Sequence, residues 1–350
     1  MDPYTIDLTN QCENSIKLLP QFDTYRTAYK HVNSQPIHAF FLIPKELPPG
    51  PRPLLVRFHG GAWSEGEAES FMRPFFLELA LKHGAVILTP DYRIRPEHEI
   101  TDLLEDIGSF WKWIERGDAQ QVLRDSLSNR ALQLDAHNLL VGGESGGGYI
   151  TAQTALLGLT DLPIKVLFVQ YPALDLARIL AEPLPPVEVP VGIDLHLHQH
   201  QKRQKQQPND DDDDDDDDAT SGNDEVSSSS SATMVSGYIP YSVVEEHLAG
   251  LKPGQICTRA KFGSRMYLMS AMVQAGRLCD LSGEVAFVDP MIPWEHTEGW
   301  VEKLRRLYPD VVLHLVYLPT GEHVFDNNHT METPWLKEPL EFVHKYWPAG

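Results

Sequence analysis

Cysteine is scarce in this chain, and long apolar runs are absent. Cys12, Cys257 and Cys279 are far apart and form no C-x-x-C or other metal-ligand spacing, so a disulfide framework is not expected. No basic N-terminal region leads into an apolar stretch, and no segment approaches the roughly 20 apolar residues that a membrane span needs. We therefore expect a cytoplasmic protein in a reducing compartment, without a membrane span.

A basic surface is also missing. The formal net charge is −21, and one uninterrupted run of nine aspartates, Asp210 to Asp218, supplies nine of these charges. An acidic surface repels phosphate backbones, and no stripe of basic residues with interleaved aromatics occurs elsewhere. Nucleic acid is therefore not expected as a partner.

The apolar pattern indicates an α/β protein built as one domain over residues 1–350. In the first half, short apolar runs alternate with longer amphipathic ones, which is typical of βα units feeding a largely parallel sheet. The predicted strands are residues 54–58, 85–88, 139–142, 164–170, 285–288 and 311–317. The predicted helices are residues 72–83, 103–116, 147–157, 266–278, 295–307 and 336–346.

This pattern is interrupted over residues 183–235. The segment is Pro-rich at its start and then carries a His/Gln tract, the aspartate run and five consecutive serines. Such a composition cannot bury enough apolar surface to offset its chain entropy, so we predict a disordered low-complexity insert. His196, His198 and His200 lie within it without a rigid scaffold, and we expect no metal there.

The strongest local motif is Gly143-Glu144-Ser145-Gly146-Gly147, a G-x-S-x-G string. It follows the predicted strand 139–142 directly and precedes a predicted helix. A nucleophile elbow needs a strand-to-helix turn so tight that flanking side chains would clash, which explains the glycines on both sides of Ser145. A glycine-rich turn with a serine cap would show the same string, but the flanking strand and helix favour a nucleophile.

A second motif, His59-Gly60-Gly61-Ala62-Trp63, ends the predicted strand 54–58 and lies 86 residues before Ser145. A Gly-Gly step lets backbone N–H groups face a site without intervening side chains, as a tetrahedral oxyanion requires. A strand-ending turn whose histidine only packs locally is the structural alternative. The order of the two motifs favours an oxyanion loop.

Together with Asp91-Tyr92-Arg93-Ile94-Arg95-Pro96-Glu97-His98, these motifs resemble the hormone-sensitive-lipase-like branch of the α/β hydrolases, whose runs read HGGG, DYRLAPEH and GDSAGG. The resemblance implies a mostly parallel central sheet with helices on both faces and a helical cap, here interrupted by the insert. It also implies oxyanion donors at Gly61, Ala62 and Gly146. Two departures are visible. Ala62 replaces the third glycine but keeps its N–H, and Gly148 stands where asparagine is common.

The same resemblance implies a base and an acid C-terminal to the serine. The tract from Leu318 to Asp326 is similar to the family's GxxHGF loop and makes His323 the base. Asp289 is the predicted acid, because its tract resembles the family stretch in which an Asp precedes a proline by four residues, here Pro293, and a helix begins soon after. The strand before it is shorter than the family's, so other carboxylates stay open: Asp280, Glu295 and Asp326.

The resemblance therefore predicts a serine carboxylic-ester hydrolase that acts on a small or medium acyl ester and needs no cofactor. The HGGAW string is also similar to that of arylformamidases, which leaves a formyl-amide substrate open. A ligand-binding protein that has lost turnover on the same scaffold is a further alternative. The sequence predicts neither the identity of the small-molecule substrate nor the oligomeric state.

We predict that deletion of residues 186–231 leaves a soluble protein with a similar melting temperature, because a solvated, charge-rich tract makes few core contacts. Differential scanning fluorimetry of the deletion variant beside the full chain measures this. A large fall in the melting temperature would show that the tract packs against the core.

Overall fold

The computed structural model describes residues 1–127, 132–172, 239–275, 294–318 and 323–348, and the backbone alone of 187–190 and 234–237. The chain divides into two compact units, residues 1–184 with 239–350, and residues 185–238. The first unit contains a seven-stranded sheet and its helices. In the second, the described residues form one antiparallel pair of short strands.

The sheet has the order β1-β2-β3-β5-β4-β6-β7. Strands β4 to β7 form a parallel group, while β1, β2 and β3 pair antiparallel at one edge. The nine strands, including the separate pair β8 and β9, are Asp2–Pro3, Phe22–Val32, Gln35–Pro44, Arg52–Phe58, Val86–Pro90, Leu134–Glu144, Ile164–Gln170, Val187–Pro190 and Met234–Gly237.

The described helices, numbered α1 to α9, are Glu13–Leu18, Pro74–His83, Ile100–Glu115, Asp118–Ser126, Gly146–Leu156, Ser242–Ala249, Met266–Gln274, Trp294–Leu307 and Lys337–Tyr346. The longest of them, α3, has 16 residues. None of the helices in the described ranges is long and apolar enough to cross a membrane.

Both faces of the sheet are covered, which explains why its central strands are mainly apolar. Every residue of β4 and β5 is buried. On one face Leu42 packs in a cluster with residues of α2 and α9, whereas its neighbour Phe41 contacts Trp113 of α3 on the other face. Successive strand residues point to opposite faces, so a strand with helices on both sides is expected to be apolar at most positions.

The two-residue turn between β2 and β3 also follows from local chemistry. Asn33 and Ser34 both have positive φ, 49° and 63°. A type I′ turn requires this at both central positions because its twist matches that of the flanking strands. Strand β2 carries many polar residues on a half-buried surface, and the apolar pattern alone does not mark it, whereas β3 is mostly apolar and buried.

The α/β fold class predicted from the sequence is confirmed. One predicted strand is wrong, because residues 311–318 form no strand. A strand needs a neighbour to complete its backbone hydrogen bonds, and no described segment pairs with these residues. Val312 and Tyr317 remain 59% and 46% exposed. The strand predicted at residues 285–288 and most of the predicted insert lie outside the described residues.

Candidate active site

Ser145 occupies a strained turn between β6 and α5, with φ 55° and ψ −120°. The turn is possible because its neighbours lack side chains. A Cβ on Gly143 would overlap the carbonyl of Gly147, and one on Gly147 would overlap the carbonyl of Phe58. The N–H of Ser145 donates to the carbonyl oxygen of Gln170 at 3.1 Å. Strain of this kind typically marks a functional residue whose surroundings over-determine its conformation.

His323 lies against this turn. Its Nε2 is 3.1 Å from Ser145 Oγ, within hydrogen-bond reach for proton transfer. Burial lowers the pKa of His323 below its ordinary value, the positive charge of Arg73 lowers it further, and the negative charge of Asp326 opposes both. The imidazole is therefore neutral near pH 7 and can accept a proton from the serine.

The loop after β4 passes directly over the serine. Gly60 is close enough that an added Cβ would stand 3.4 Å from Ser145 Cβ. Gly61 and Ala62 follow with φ of 105° and 51°, both in the left-handed region. A Cβ on Gly61 would overlap the carbonyl of Glu65, so only glycine fits there.

Gly61, Ala62 and Gly146, the predicted oxyanion donors, lie in two segments that pack together beside Ser145. Ala62 N lies 3.4 Å from the position that a Cβ on Gly146 would take. Gly146 is the first residue of α5, where helix N–H groups have no partner within the helix. Within the described part of the chain, the N–H groups of Gly61 and Ala62 donate to no other group. The arrangement is suited to an oxyanion.

Side chains hold the loop and the elbow in register. The indole Nε1 of Trp63 donates to the carbonyl of Gly146 at 3.0 Å. Glu144, the variable residue of the G-x-S-x-G motif, forms a buried ion pair with Arg57 of β4. The same carboxylate accepts the N–H of Gly60 at 3.3 Å. The buried carboxylate of Glu144 therefore links the elbow to the loop that follows β4.

His59 has a structural role in this loop. Its ring stacks on that of Tyr92 with centroids 4.3 Å apart and planes 6° apart, and the Tyr92 hydroxyl donates to the His59 carbonyl at 2.6 Å. Burial lowers the pKa of His59 to about 3, so the ring stays neutral. The ring stacking and this hydrogen bond hold His59 in place at the start of the loop that follows β4.

The Asp-Tyr-Arg motif also anchors backbone. Asp91 accepts the N–H of Ala68 at 2.9 Å and pairs with Arg259 at 2.9 Å. Arg93 forms an ion pair with Asp106 of α3 at 2.8 Å. These contacts tie together the loop that follows β4, helix α3 and the segment around residue 259.

The acid is the predicted site residue that the structure does not locate. Asp289 and Asp280 lie outside the described residues, and only the backbone of Glu295 is described. Asp326 is fully buried, and its carboxylate accepts hydrogen bonds from Arg73, Gln170 and Tyr171. Ser145 and His323 are thus brought together, and the loop of Gly61 and Ala62 packs against Gly146 beside them, while the place of Asp289 stays a prediction.

Sequence reasoning missed the buried charges around the site, although one of them left a signal. Arg57 interrupts the otherwise apolar run of β4, and a charge in a buried strand requires a buried partner, here Glu144. Arg73, at the N-terminal end of α2, left no comparable signal. Among the described residues, no group of three or more His, Cys, Asp or Glu side chains is arranged to hold a metal ion.

Comparisons with known proteins found similarity to one family model and to proteins named as esterases. Residues 55–189 match a family model described as alpha/beta hydrolase fold. The chain is 26% identical over 336 residues to the probable carboxylesterase M8 of Phoma sp., covering 91% of this chain and 94% of that protein. The probable carboxylesterase clz11 of Cochliobolus lunatus is 37% identical over 87 residues, 25% of this chain and 38% of that one. A solved bacterial heroin esterase is 23% identical, with a TM-score of 0.37, over 46% of this chain and 49% of that one.

Two helical glycines offer a matched test of the elbow. We predict that Gly147→Ala destabilises the protein by about 1–3 kcal/mol because the new methyl overlaps the Phe58 carbonyl. Gly108→Ala in α3, where no atom lies within 4 Å of the new Cβ, should instead stabilise it by about 0.5–1 kcal/mol through helix propensity. Urea unfolding of both variants measures the difference. Equal effects of the two substitutions would contradict the close packing of the elbow.

Proposed function

We propose that the chain belongs to the hormone-sensitive-lipase-like branch of the α/β hydrolases and that it is a serine hydrolase of carboxylic esters. The observation that carries the proposal is the 3.1 Å approach of His323 Nε2 to Ser145 Oγ on a strained strand-to-helix turn. A nucleophile and a base within hydrogen-bond reach are the arrangement that nucleophilic catalysis requires.

In the proposed reaction His323 accepts the Ser145 hydroxyl proton as Oγ attacks the ester carbonyl carbon. The carbonyl oxygen becomes an oxyanion that the N–H groups of Gly61, Ala62 and Gly146 stabilise. The C–O bond to the alcohol then breaks, His323 gives its proton to the departing alcohol, and an acyl-serine remains. Water then attacks the acyl carbon as His323 takes its proton. The bond from this carbon to Ser145 Oγ breaks, His323 returns the proton to Oγ, and the carboxylic acid leaves.

A carboxylate is needed to complete this machinery, because the buried imidazole becomes an imidazolium during each half of the reaction. We propose Asp289 for this role, as the resemblance implies. It would accept the Nδ1–H bond of His323, fix the tautomer that presents Nε2 to the serine, and stabilise the imidazolium.

Esters are favoured over formyl amides as substrates. Both of the curated relatives described above are named as carboxylesterases, and one of them matches the present chain over 94% of its length. No contact in the described residues favours a formyl-amide substrate. A binding protein without turnover is disfavoured because the serine and histidine of the pattern are both present and adjacent. We propose a small or medium acyl ester as the substrate.

We predict that Ser145→Ala abolishes hydrolysis of nitrophenyl esters and labelling by a fluorophosphonate probe, while the melting temperature changes little. His323→Ala should also lose turnover because no proton acceptor remains beside Oγ. An acyl-chain series with an arylformamide in the same panel ranks the substrate classes. Near-native esterase activity in purified Ser145→Ala would refute the nucleophile assignment.

We predict that Asp289→Asn lowers kcat by roughly 10⁴-fold with little change in substrate binding, as expected for loss of the carboxylate that orients a catalytic histidine. Asp280→Asn and Glu295→Gln are the matched comparisons and should each have a small effect. A loss of this size in either comparison variant, with Asp289→Asn active, would move the acid to that residue.

A further inference from the structure

A buried polar network lies behind the histidine loop and is not part of the reaction described above. At its centre is Asp326, three residues after His323 and fully buried. Its Oδ1 accepts the hydroxyl of Tyr171 at 2.6 Å. Its Oδ2 accepts Arg73 Nε at 2.9 Å and the side-chain amide of Gln170. A carboxylate that accepts three hydrogen bonds, one of them from an arginine, is held in one orientation.

Arg73 extends the network to the rest of the molecule. It is fully buried next to α2, and its two terminal nitrogens donate to the carbonyl of Phe71 at 2.8 Å, to Asn327 Oδ1 at 3.0 Å and to Tyr171 Oη at 2.8 Å. Arg73 thus contacts two successive residues of the histidine loop, Asp326 and Asn327. The loop is tied to α2 by charge-assisted hydrogen bonds.

The same network reaches the nucleophile. Gln170, which donates to Asp326, ends β7, and its backbone carbonyl accepts the N–H of Ser145. The next residue, Tyr171, places its ring 5.1 Å from the ring of His323. Residues at the C-terminal end of β7 therefore contact both Ser145 and the loop that carries His323.

Charge is balanced within the network. Arg73 disfavours protonation of His323, and Asp326 opposes this effect. The Tyr171 hydroxyl stays neutral because burial raises its pKa far above the ordinary value. Glu144 also faces the network, since its negative charge acts on both Arg73 and Tyr171. Without Asp326, the buried positive charge of Arg73 would oppose imidazolium formation more strongly.

We propose that Arg73 and Asp326 form a buried clamp that positions the His323 loop against the nucleophile elbow and sets the electrostatic environment of the imidazole. They are positioning residues that act through His323, and the inference rests on the proposed role of His323 as the general base. A purely structural ion pair would contribute to stability without influencing the protonation of the histidine.

The two charges predict opposite pH effects. The acid limb of kcat/KM reports protonation of His323 in the free enzyme, since only the neutral imidazole accepts the serine proton. Asp326→Asn leaves Arg73 unbalanced, which lowers the pKa of His323 and moves the limb to lower pH. Arg73→Met removes the opposing charge and moves the limb to higher pH. Each shift should be about half a unit or more, since a charge beside a titrating group acts at this scale.

A third variant separates positioning from stability. In Arg73→Met/Asp326→Leu the ion pair is replaced by apolar side chains, which is often neutral or stabilising for a buried pair. We expect a melting temperature near that of the original protein but a kcat lowered by about 10-fold or more, because misplacement of a catalytic group is costly. Asp326→Glu keeps the charge and should leave the limb in place. Asp118→Asn, in a surface pair on α4, is the control and should change nothing.

The outcomes are distinguishable. If the double variant recovers kcat together with stability, or if the acid limb stays fixed in both single variants, the clamp is only structural and the inference fails. A loss of about 10⁴-fold in Asp326→Asn would instead make Asp326 the orienting acid itself and overturn the positioning role. Retained activity in Ser145→Ala or His323→Ala would refute the proposed function, whatever the clamp variants show. If a single variant does not fold, the double variant and the remaining single variant still decide the question.

Discussion

The contact on which the site depends is one between two main chains. The first turn of α5 lies against the end of β4 so closely that Gly147 leaves no room for a side chain beside the carbonyl of Phe58. Because this contact fixes the distance between the elbow and the loop that follows β4, it also fixes Ser145 relative to Gly61 and Ala62. A looser contact would separate Ser145 from the N–H groups that we propose as oxyanion donors, and in the proposed reaction such a small misplacement would cost much of the rate.

Around this contact the protein places its buried charges. Arg57 with Glu144 supports the underside of the elbow, Arg73 with Asp326 supports the histidine loop, and Arg93 with Asp106 supports the Asp-Tyr-Arg segment. Buried ion pairs add little net stability, because desolvation opposes their attraction. Their directional hydrogen bonds nevertheless restrict to one conformation loops for which apolar packing alone would allow several. In the candidate site these ion pairs contact the elbow that carries Ser145 and the loop that carries His323.

The predictable part of the molecule is the part with short-range signals. The strands at residues 54–58 and 164–170 follow from local periodicity, and the glycines around Ser145 follow from local steric demands. The fold class follows from these features. The β2–β3 hairpin was missed because β2 is half-polar, although β3 is largely apolar and buried. The strand expected at 311–317 was wrong because a strand depends on a distant neighbour. The pairing of Arg73 with Asp326 spans 253 residues, and no local pattern encodes it. The position of Asp289 relative to His323 is long-range in the same way.

The variable position of the G-x-S-x-G motif acquires a specific meaning in this chain. Glu144 neutralises Arg57 and accepts the N–H of Gly60, so residues 57, 60 and 144 form one unit although they come from separate motifs. Evolutionary drift at position 144 would therefore be coupled to position 57, and a family alignment should show the two changing together. In engineering terms, a randomised library at position 144 alone would sample mostly unbalanced charges. A library that varies 57 and 144 as a pair would explore this part of the site with the fold intact.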